Sequence, residues 1–400
     1  MDWAEYVDAD AERDLVRWRR HLHQHPELSF EEFETSAFVA RNLEEWGIPF
    51  DRPQPTGLVG HVRGRHPGPT VAVRCDLDAL PIEEENTFDF RSSVPGRMHA
   101  CGHDGHTAIL LGLARTLSGL RDEIHGEVRL LFQPAEEVLE SGARHMIEGG
   151  AVDGVDAVLG LHLFSTLETG RISLASGPVM ASADVFRIVV RGSGGHGAYP
   201  HQTVDPLMIG AALVGQLQTL VSRRVPPLEP AVVTVGTLHA GTATNVIPGS
   251  ASLSGTVRTL SEAVRDQVER ELRAMVSLFV QAHGATAELE YQRGNPVVQN
   301  DPPLASFLRP AAAAAVGEGS VVALPPTMGA EDFAYYGRVA PSVFAFVGAG
   351  SREAESDFPH HHPRFTVDER ALGVGLRFFL EAVERTSSGH AELPSRERSD

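Results

Sequence analysis

The segment His99-Ala100-Cys101-Gly102-His103-Asp104-Gly105-His106 places a cysteine and a histidine two positions apart in a glycine-rich stretch. The glycines leave the backbone free to direct both side chains at one target. Taken alone, such a pair is most simply a buried cysteine beside a histidine that caps a helix. Thiolate and imidazole are also preferred zinc ligands, so the rest of the chain must decide between the two interpretations.

Three more candidate ligands occur further along the chain, namely Glu137, His162 and His361. Together with Cys101 and His103 they make five donors, which is more than one tetrahedral zinc ion takes. The sequence therefore predicts two divalent metal ions that share a water, as in binuclear metallohydrolases. Thiolate and imidazole favour zinc while carboxylate also tolerates manganese, so both ions are candidates.

Neighbouring residues suggest further roles. Glu136 precedes Glu137 after an apolar strand and could take a proton from the attacking water. Asp76 and Asp78 close another strand and could orient the ligand imidazoles. Within the cluster His360, His361 and His362 any of the three could be the ligand. A cysteine hydrolase, with Cys101 activated by His103, is an alternative that leaves the other donors unexplained.

Other histidines and glycines have simpler interpretations. The spacing of His21, His23 and His25 spreads them around a helix, which predicts surface or capping roles. The stretch Gly192-Ser193-Gly194-Gly195-His196-Gly197 matches a dinucleotide-binding pattern, but Tyr199-Pro200 intervenes before the next helix. We expect a tight loop from which His196 projects.

Composition excludes several classes of protein. The chain has 400 residues, 42% of them apolar, and a formal net charge of -19. This charge disfavours nucleic acids and anionic membranes as partners. Residues 1–14 lack the basic start and apolar run of a secretory signal. With only two cysteines, Cys75 and Cys101, the chain fits a reducing compartment, and we predict a cytoplasmic location.

Periodicity predicts an α/β fold. Ser29 and Glu32 form a capping-box pattern ahead of a helix that ends near Gly47. The further elements of this part alternate, with strands at 58–62, 70–75, 127–132, 157–161 and 342–347 and helices at 107–120, 304–316 and 368–385. Alternation of this kind is typical of a sheet covered by helices.

Between residues 184 and 292 the order changes to β-α-β-β-α-β. The strands are predicted at 185–190, 231–238, 251–259 and 286–291 and the helices at 206–223 and 261–283. This succession is typical of a ferredoxin-like unit. We therefore predict a discontinuous catalytic domain over 1–183 and 293–390, an inserted domain over 184–292 and a flexible tail over 391–400.

Two residues of the predicted insertion could bind substrate. Arg258 lies on the strand face opposite Leu253 and Val257, and Asn245 lies in a nearby turn. A guanidinium that faces a cleft can bind a substrate carboxylate through two hydrogen bonds. Ordinary surface positions are an equally good interpretation of these residues.

The ordered motifs together resemble the zinc-peptidase-like amidohydrolases, which include hippurate hydrolases, N-acyl-amino-acid aminoacylases and plant auxin-conjugate hydrolases. They are Arg19-Arg20-His21-Leu22-His23, Pro26-Glu27-Leu28, Asp76-Leu77-Asp78-Ala79-Leu80-Pro81, Cys101-Gly102-His103-Asp104, Gln133-Pro134-Ala135-Glu136-Glu137, Gly195-His196-Gly197-Ala198, Asn245-Val246-Ile247-Pro248, Met328-Gly329-Ala330-Glu331-Asp332-Phe333 and His361-His362-Pro363.

The resemblance implies that two metals bind to Cys101, His103, Glu137, His162 and His361. It gives Glu136 the role of general base and makes the insertion a lid or dimerisation domain. It also implies that His196 reaches the site of a neighbouring subunit and stabilises the developing oxyanion.

We accordingly predict a metal-dependent amidohydrolase that cleaves small N-acyl amino acids to a carboxylic acid and a free amino acid, acting as a homodimer or higher homo-oligomer. Asn245 and Arg258 would hold the substrate carboxylate. A dipeptidase or aminopeptidase on the same scaffold is the nearest alternative. A non-catalytic protein that binds acyl-amino acids is the alternative from another class.

Overall fold

The computed structural model describes residues 3–387 and 393–394, so the predicted tail 391–400 lies outside the described residues except for Leu393 and Pro394. The strands are β1 Phe50–Asp51, β2 Leu58–Arg63, β3 His66–Asp76, β4 His125–Gln133, β5 Ala157–Glu168, β6 Ile172–Ser173, β7 Gly177–Met180, β8 Ser182–Arg191, β9 Gly195–His196, β10 Ala231–Ala240, β11 Val246–Ile247, β12 Ser250–Thr259, β13 Thr286–Arg293, β14 Val298–Asn300, β15 Val321–Val322 and β16 Ser342–Gly350.

The α-helices are α1 Ala9–Gln24, α2 Phe33–Glu45, α3 His103–Gly119, α4 Gly142–Glu148, α5 Pro206–Thr219, α6 Glu262–Ala282, α7 Pro302–Val316, α8 Tyr336–Val339 and α9 Arg370–Ser387. These elements fall into two units. The first comprises Met1–Gly177, Gln299–Pro325 and Asp332–Asp400, and the second comprises Pro178–Val298 and Pro326–Glu331. All five predicted metal ligands belong to the first unit.

The first unit is built on an eight-stranded sheet with the order β1-β2-β4-β3-β5-β16-β6-β15. Its four central strands β4, β3, β5 and β16 run parallel. Their central segments are mainly apolar and buried, as expected for parallel strands covered on both faces. The register pairs Asp76 with Gln133 and Arg74 with Gly160, so Asp76, Gln133 and His162, two residues after Gly160, lie at similar heights along β3, β4 and β5.

Helices α1, α3 and α9 pack against one another beside this sheet. Helix α3 is buried along most of its length, because its own apolar residues occur on nearly every side of the helix. Gly112 allows the close approach of α1, since a Cβ there would lie 2.7 Å from Leu15. The core therefore fixes the first turn of α3, where His103 is the first helical residue.

The second unit contains a four-stranded antiparallel sheet with the order β10-β12-β8-β13. Helices α5 and α6 pack against each other and against this sheet, over a core that includes Ile188, Leu253 and Val257. Short strands β9 and β11 pair outside this sheet and place His196 opposite Val246.

Three local predictions are wrong in detail. The capping box does not form: the Ser29 hydroxyl donates to Asp78, and the carboxylate of Glu27 accepts from the first turn of α2 instead. Helix α3 begins at His103 rather than at residue 107. Strand β5 continues to Glu168, so His162 lies within the strand and not at its end. Among the described residues, no helix has the length and apolar character needed to cross a membrane.

Candidate metal centre

Residues 99–103, which carry the predicted ligands Cys101 and His103, form the ligand loop, and its conformation depends on Gly102. This residue precedes the helix with a φ of 98°, a left-handed conformation that favours glycine. The turn separates Cys101 from His103 and brings both side chains to the same edge of the sheet. Predicted ligands from the loop and from β5 therefore meet here.

Two groups of donor atoms share the Cys101 sulfur. One group contains Cys101, His162 and His360, and the other contains Cys101, His103 and Glu137. Within each group the donor atoms lie within 4.8 Å of one another. A sulfur common to two donor groups is the arrangement expected where two cations lie side by side.

His103 is oriented for ligation. Its Nδ1 lies 2.8 Å from the carbonyl oxygen of Asp78, so Nδ1 carries the hydrogen and Nε2 faces the site. Both His103 Nε2 and Glu137 Oε1 are buried without a hydrogen-bond partner among the described residues, and they lie 3.9 Å apart. Buried polar atoms are rarely left without a partner, so the pair fits a cation.

The pKa shifts also fit a cation. Burial alone would lower the pKa of His103, but the charge of Asp76 and the hydrogen bond to Asp78 outweigh it and raise that pKa well above its usual value. Burial and the nearby Glu137 carboxylate raise the pKa of Cys101. The thiol therefore needs a bound cation to lose its proton near neutral pH.

Asp78 joins the two ligand loops. Its carboxylate accepts the backbone N–H groups of Glu136 at 3.1 Å and Glu137 at 3.0 Å, and the Ser29 hydroxyl at 2.7 Å. Its carbonyl oxygen holds His103, as described above. A single residue thus contacts a candidate ligand from each loop.

Asp76 contacts a histidine that the sequence had not singled out. Its Oδ1 accepts from His106 Nδ1 at 2.7 Å, and His106 Nε2 accepts the backbone N–H of Leu163 at 2.9 Å. Both nitrogens of His106 are therefore engaged, which excludes it as a ligand in this arrangement. Asp76 Oδ2 lies 3.7 Å from His103 Nε2, so the carboxylate faces a ligand imidazole as well.

His162 is held in the neutral form, which is suited to metal binding. Its Nδ1 donates to the carbonyl of Leu163 at 2.9 Å, and its Nε2 lies 3.5 Å from the Cys101 sulfur. Burial, followed by the nearby His106 and His360, holds the pKa of His162 well below its usual value. Neutral imidazole is the form that binds metals.

Two side chains of the histidine cluster lie next to the candidate ligands. His361 Nε2 lies 3.4 Å from Glu137 Oε1, and the neighbouring Cys101 and Glu137 raise the pKa of His361 to about 10. His361 has a φ of 65°, and its neighbour His360 lies with Nδ1 3.7 Å from Cys101 Sγ. His362 instead stacks on Phe358, away from these donors.

Glu136 lies beside a buried ionic network. The side chain is 8% exposed, and its Oε1 accepts the backbone N–H of Asp332 at 3.4 Å. Beneath it, Arg74 donates to Gln133 at 2.8 Å and to Asp332 at 2.8 Å. These fully buried partners fix the end of β4, from which Glu136 and its neighbour extend.

The surface role predicted for His23 is wrong. The side chain is completely buried, with Nδ1 2.8 Å from Asp104 and Nε2 3.0 Å from Glu84. Arg19 joins the same carboxylate of Asp104 at 2.9 Å. Asp104 immediately follows the ligand His103, so this network ties the ligand loop to α1.

The predicted substrate residues all lie in the second unit. His196 is exposed, and its Nδ1 accepts the backbone N–H of Ala198 at 3.0 Å, which leaves the hydrogen on Nε2. Asn245 is exposed beside β11, the strand that pairs with His196. Arg258 is half-buried and donates to the carbonyl of Val257 at 3.3 Å, and burial lowers the pKa of its guanidinium.

Residues 72–385 match the family model described as Peptidase family M20/M25/M40. The chain belongs to this family. This confirms the resemblance to metal-dependent amidohydrolases that the motifs had indicated.

Several M20 relatives cover most of the chain. It is 51% identical over 294 residues to the N-acyl-L-amino acid amidohydrolase of Geobacillus stearothermophilus, covering 73% of this chain and 80% of the relative. It is 40% identical to the thermostable carboxypeptidase 2 of Saccharolobus solfataricus, covering 94% and 96%. The solved structure of the Bacillus subtilis YXEP protein, described as a dinuclear metal-binding peptidase of the M20 family, aligns with a TM-score of 0.82 at 38% identity and covers 94% of this chain and 98% of that one.

Proposed function

We propose that this M20 protein is a binuclear metal-dependent amidohydrolase that cleaves the amide bond of N-acyl amino acids. The observation that carries the proposal is that His103, Glu137 and His162 lie around the Cys101 sulfur and His361 lies next to Glu137, with His103 Nε2 and Glu137 Oε1 buried beside each other. The similarity to an N-acyl-L-amino acid amidohydrolase and to a dinuclear metal-binding peptidase supports the substrate class and the metal number.

The metals would be held by Cys101, His103, Glu137, His162 and His361, with zinc and manganese as candidates. When bound, the ions polarise the amide carbonyl and lower the pKa of the attacking water. The soft thiolate favours zinc, whereas the hard carboxylate oxygens are equally suited to manganese. The protein donors are thus compatible with either ion.

Glu136 is proposed as the general base. Its carboxylate takes a proton from the attacking water and later delivers it to the amide nitrogen, so that the amine can leave as the C–N bond breaks. Its backbone N–H is fastened to Asp78 and its side chain is largely shielded from solvent. A fixed, shielded carboxylate next in sequence to a ligand is well suited to this shuttle.

For the second unit we propose a lid or dimerisation domain of the ferredoxin-like class. The β-α-β-β-α-β succession and the strand order support this class. Arg258, which forms no ion pair with any residue that the structure describes, is proposed to bind the substrate carboxylate together with Asn245. His196 is proposed to donate its Nε2 hydrogen to the developing oxyanion of a site in a neighbouring subunit.

The decisive experiment replaces Glu136 by Gln. Loss of a general base typically slows a reaction ~10²- to 10⁴-fold, so kcat for N-acetyl and N-benzoyl amino acids should fall by at least about 100-fold. Metal content, measured by elemental analysis, should stay at the wild-type level because Glu136 is not among the proposed ligands. Near-normal turnover by a variant that retains its metals would contradict the assignment.

The subunit-crossing role of His196 has its own test. Mixing Glu136→Gln with His196→Ala produces hybrid dimers in which one site receives intact groups from both chains. Activity above that of either variant alone supports a contribution from the neighbouring subunit, and no recovery opposes it.

A carboxypeptidase activity is the second candidate, favoured by the 40% identity to a thermostable carboxypeptidase. The two activities differ in the group that precedes the cleaved amide. A panel of N-acyl amino acids and dipeptides with free amines therefore separates them. Preferential cleavage of the dipeptides would replace the acyl-amino-acid assignment.

We propose a cytoplasmic location for the protein with either activity.

A further inference from the structure

His360 has a fixed position next to the proposed metal centre and no role in the ligand set above. Its ring lies 5.0 Å from the ring of His162, 5.3 Å from that of Phe164 and 4.9 Å from that of Phe365. These rings surround the imidazole on several sides. Its orientation is therefore set by packing and does not depend on a metal ion.

The hydrogen bonds of His360 determine which nitrogen carries its hydrogen. Nε2 accepts the backbone N–H of Ser165 at 3.4 Å. A backbone N–H can only donate, so Nε2 must carry the lone pair. A neutral imidazole then carries its hydrogen on Nδ1.

That hydrogen faces Cys101, whose Sγ lies 3.7 Å from His360 Nδ1 and whose backbone also accepts a hydrogen bond from His360. Ligation of a metal through Nδ1 would require the hydrogen to move to Nε2, where it would face the N–H of Ser165. Two donors would then oppose each other in a buried place, which is unfavourable. The geometry favours a hydrogen-bond donor over a sixth ligand.

We propose that His360 is a positioning residue that donates an N–H···S hydrogen bond to the Cys101 thiolate and so sets how strongly this sulfur donates to the metals. The inference rests on the proposed metal centre, because a neutral thiol would gain little from the contact. A hydrogen bond withdraws electron density from a ligand sulfur, and such contacts tune metal–thiolate sites.

The test uses two variants that differ in where they offer an N–H group. The amide nitrogen of His360→Asn can take the place of Nδ1, whereas that of His360→Gln reaches only toward Nε2. Each protein is stripped of metal and loaded with Co²⁺, and the thiolate-to-cobalt charge-transfer band is recorded in the near ultraviolet. His362→Leu is the control, since His362 stacks on Phe358 and is not part of either donor group.

The Gln variant should shift the band to longer wavelength, because a thiolate without this hydrogen bond donates more strongly to the metal. The Asn variant should restore the wild-type band, and the His362→Leu control should leave it unchanged. An unshifted band in the Gln variant overturns the proposal. Altered visible d–d bands in both the Asn and Gln variants would make His360 a ligand and also overturn it.

Failure of the proposed function gives a different result. If wild-type protein loaded with Co²⁺ has no thiolate charge-transfer band, Cys101 is not a ligand and the metal centre itself is wrong. If that band is present and the Gln variant does not move it, the metal centre stands and only the role of His360 is refuted.

Discussion

Glu32 provides a quantitative test of the buried electrostatics next to the ligand loops. Its Oε1 accepts the backbone N–H groups of Phe30 at 3.0 Å and Ala135 at 2.8 Å, and the side chain is completely buried. Burial, with a smaller contribution from the Asp78 charge, raises the pKa of Glu32 from 4.5 to about 7. Glu32→Gln keeps an oxygen for both N–H groups and removes the charge.

The sign follows from the raised pKa. The stability that protonated Glu32 contributes is fully present below pH 4.5, the unfolded value, and is lost as the pH rises through about 7. At 1.36 kcal/mol per pH unit, the difference between these pKa values makes wild-type protein lose about 2.5 kcal/mol between pH 5 and pH 8 through this residue. The Gln variant does not incur this loss.

Urea unfolding of metal-free protein at pH 5 and pH 8 measures the effect. The chain contains three tryptophans, Trp3, Trp18 and Trp46, all in the first unit, so their fluorescence reports the unfolding of that unit. The unfolding free energy of Glu32→Gln minus that of wild type should increase by about 2.5 kcal/mol between pH 5 and pH 8. Other titrating groups cancel in this comparison.

Glu34→Gln, an exposed position on the same helix, serves as the control and should change stability by less than about 0.5 kcal/mol at either pH. If the difference between Glu32→Gln and wild type is the same at both pH values, the reasoning about burial and charge at this position is refuted.

Two further predictions concern Asp78 and the metals. Asp78→Ala removes the acceptor of two backbone N–H groups and one hydroxyl, so it should lower the unfolding free energy by about 3 kcal/mol. Ser29→Ala removes only one of these contacts and should lower it by about 1 kcal/mol. Equal losses for the two variants in urea titrations would show that the contacts do not act separately. Treatment with a chelator should abolish hydrolysis and lower the melting temperature, because metal binding stabilises the folded state. Added zinc or manganese should restore both. Full activity after verified metal removal would favour a cysteine hydrolase instead.

The sequence predicted the structure best where a local pattern of residues is typical of one kind of element. Buried parallel strands such as β4 and β5 are continuous apolar runs, and the family was identified from motifs whose order alone is specific. Donors from residues 101–103 and from β5 lie next to one another, although His162 is within its strand and not at its end. The positions of the elements were therefore accessible from local pattern.

The rest depends on tertiary contacts. His23 has the same local signature as an exposed histidine, and only its partners Asp104 and Glu84, distant in sequence, determine that it is buried. Ser29 and Glu32 form a good capping pattern, yet Asp78 and the loop at Ala135 compete for their side chains. His106 could have been noticed, since it lies one helical turn after His103, but its contact with Asp76 could not.

The sulfur of Cys101 belongs to both donor groups, so the two ions would depend on one oxidisable atom. Conversion of this thiolate to a sulfinic acid would remove a donor from both positions in a single event. Loss of the centre under oxidative stress would then be abrupt, with few molecules left holding one ion. A single side chain that serves two cations thus makes the retention of both depend on the oxidation state of one sulfur.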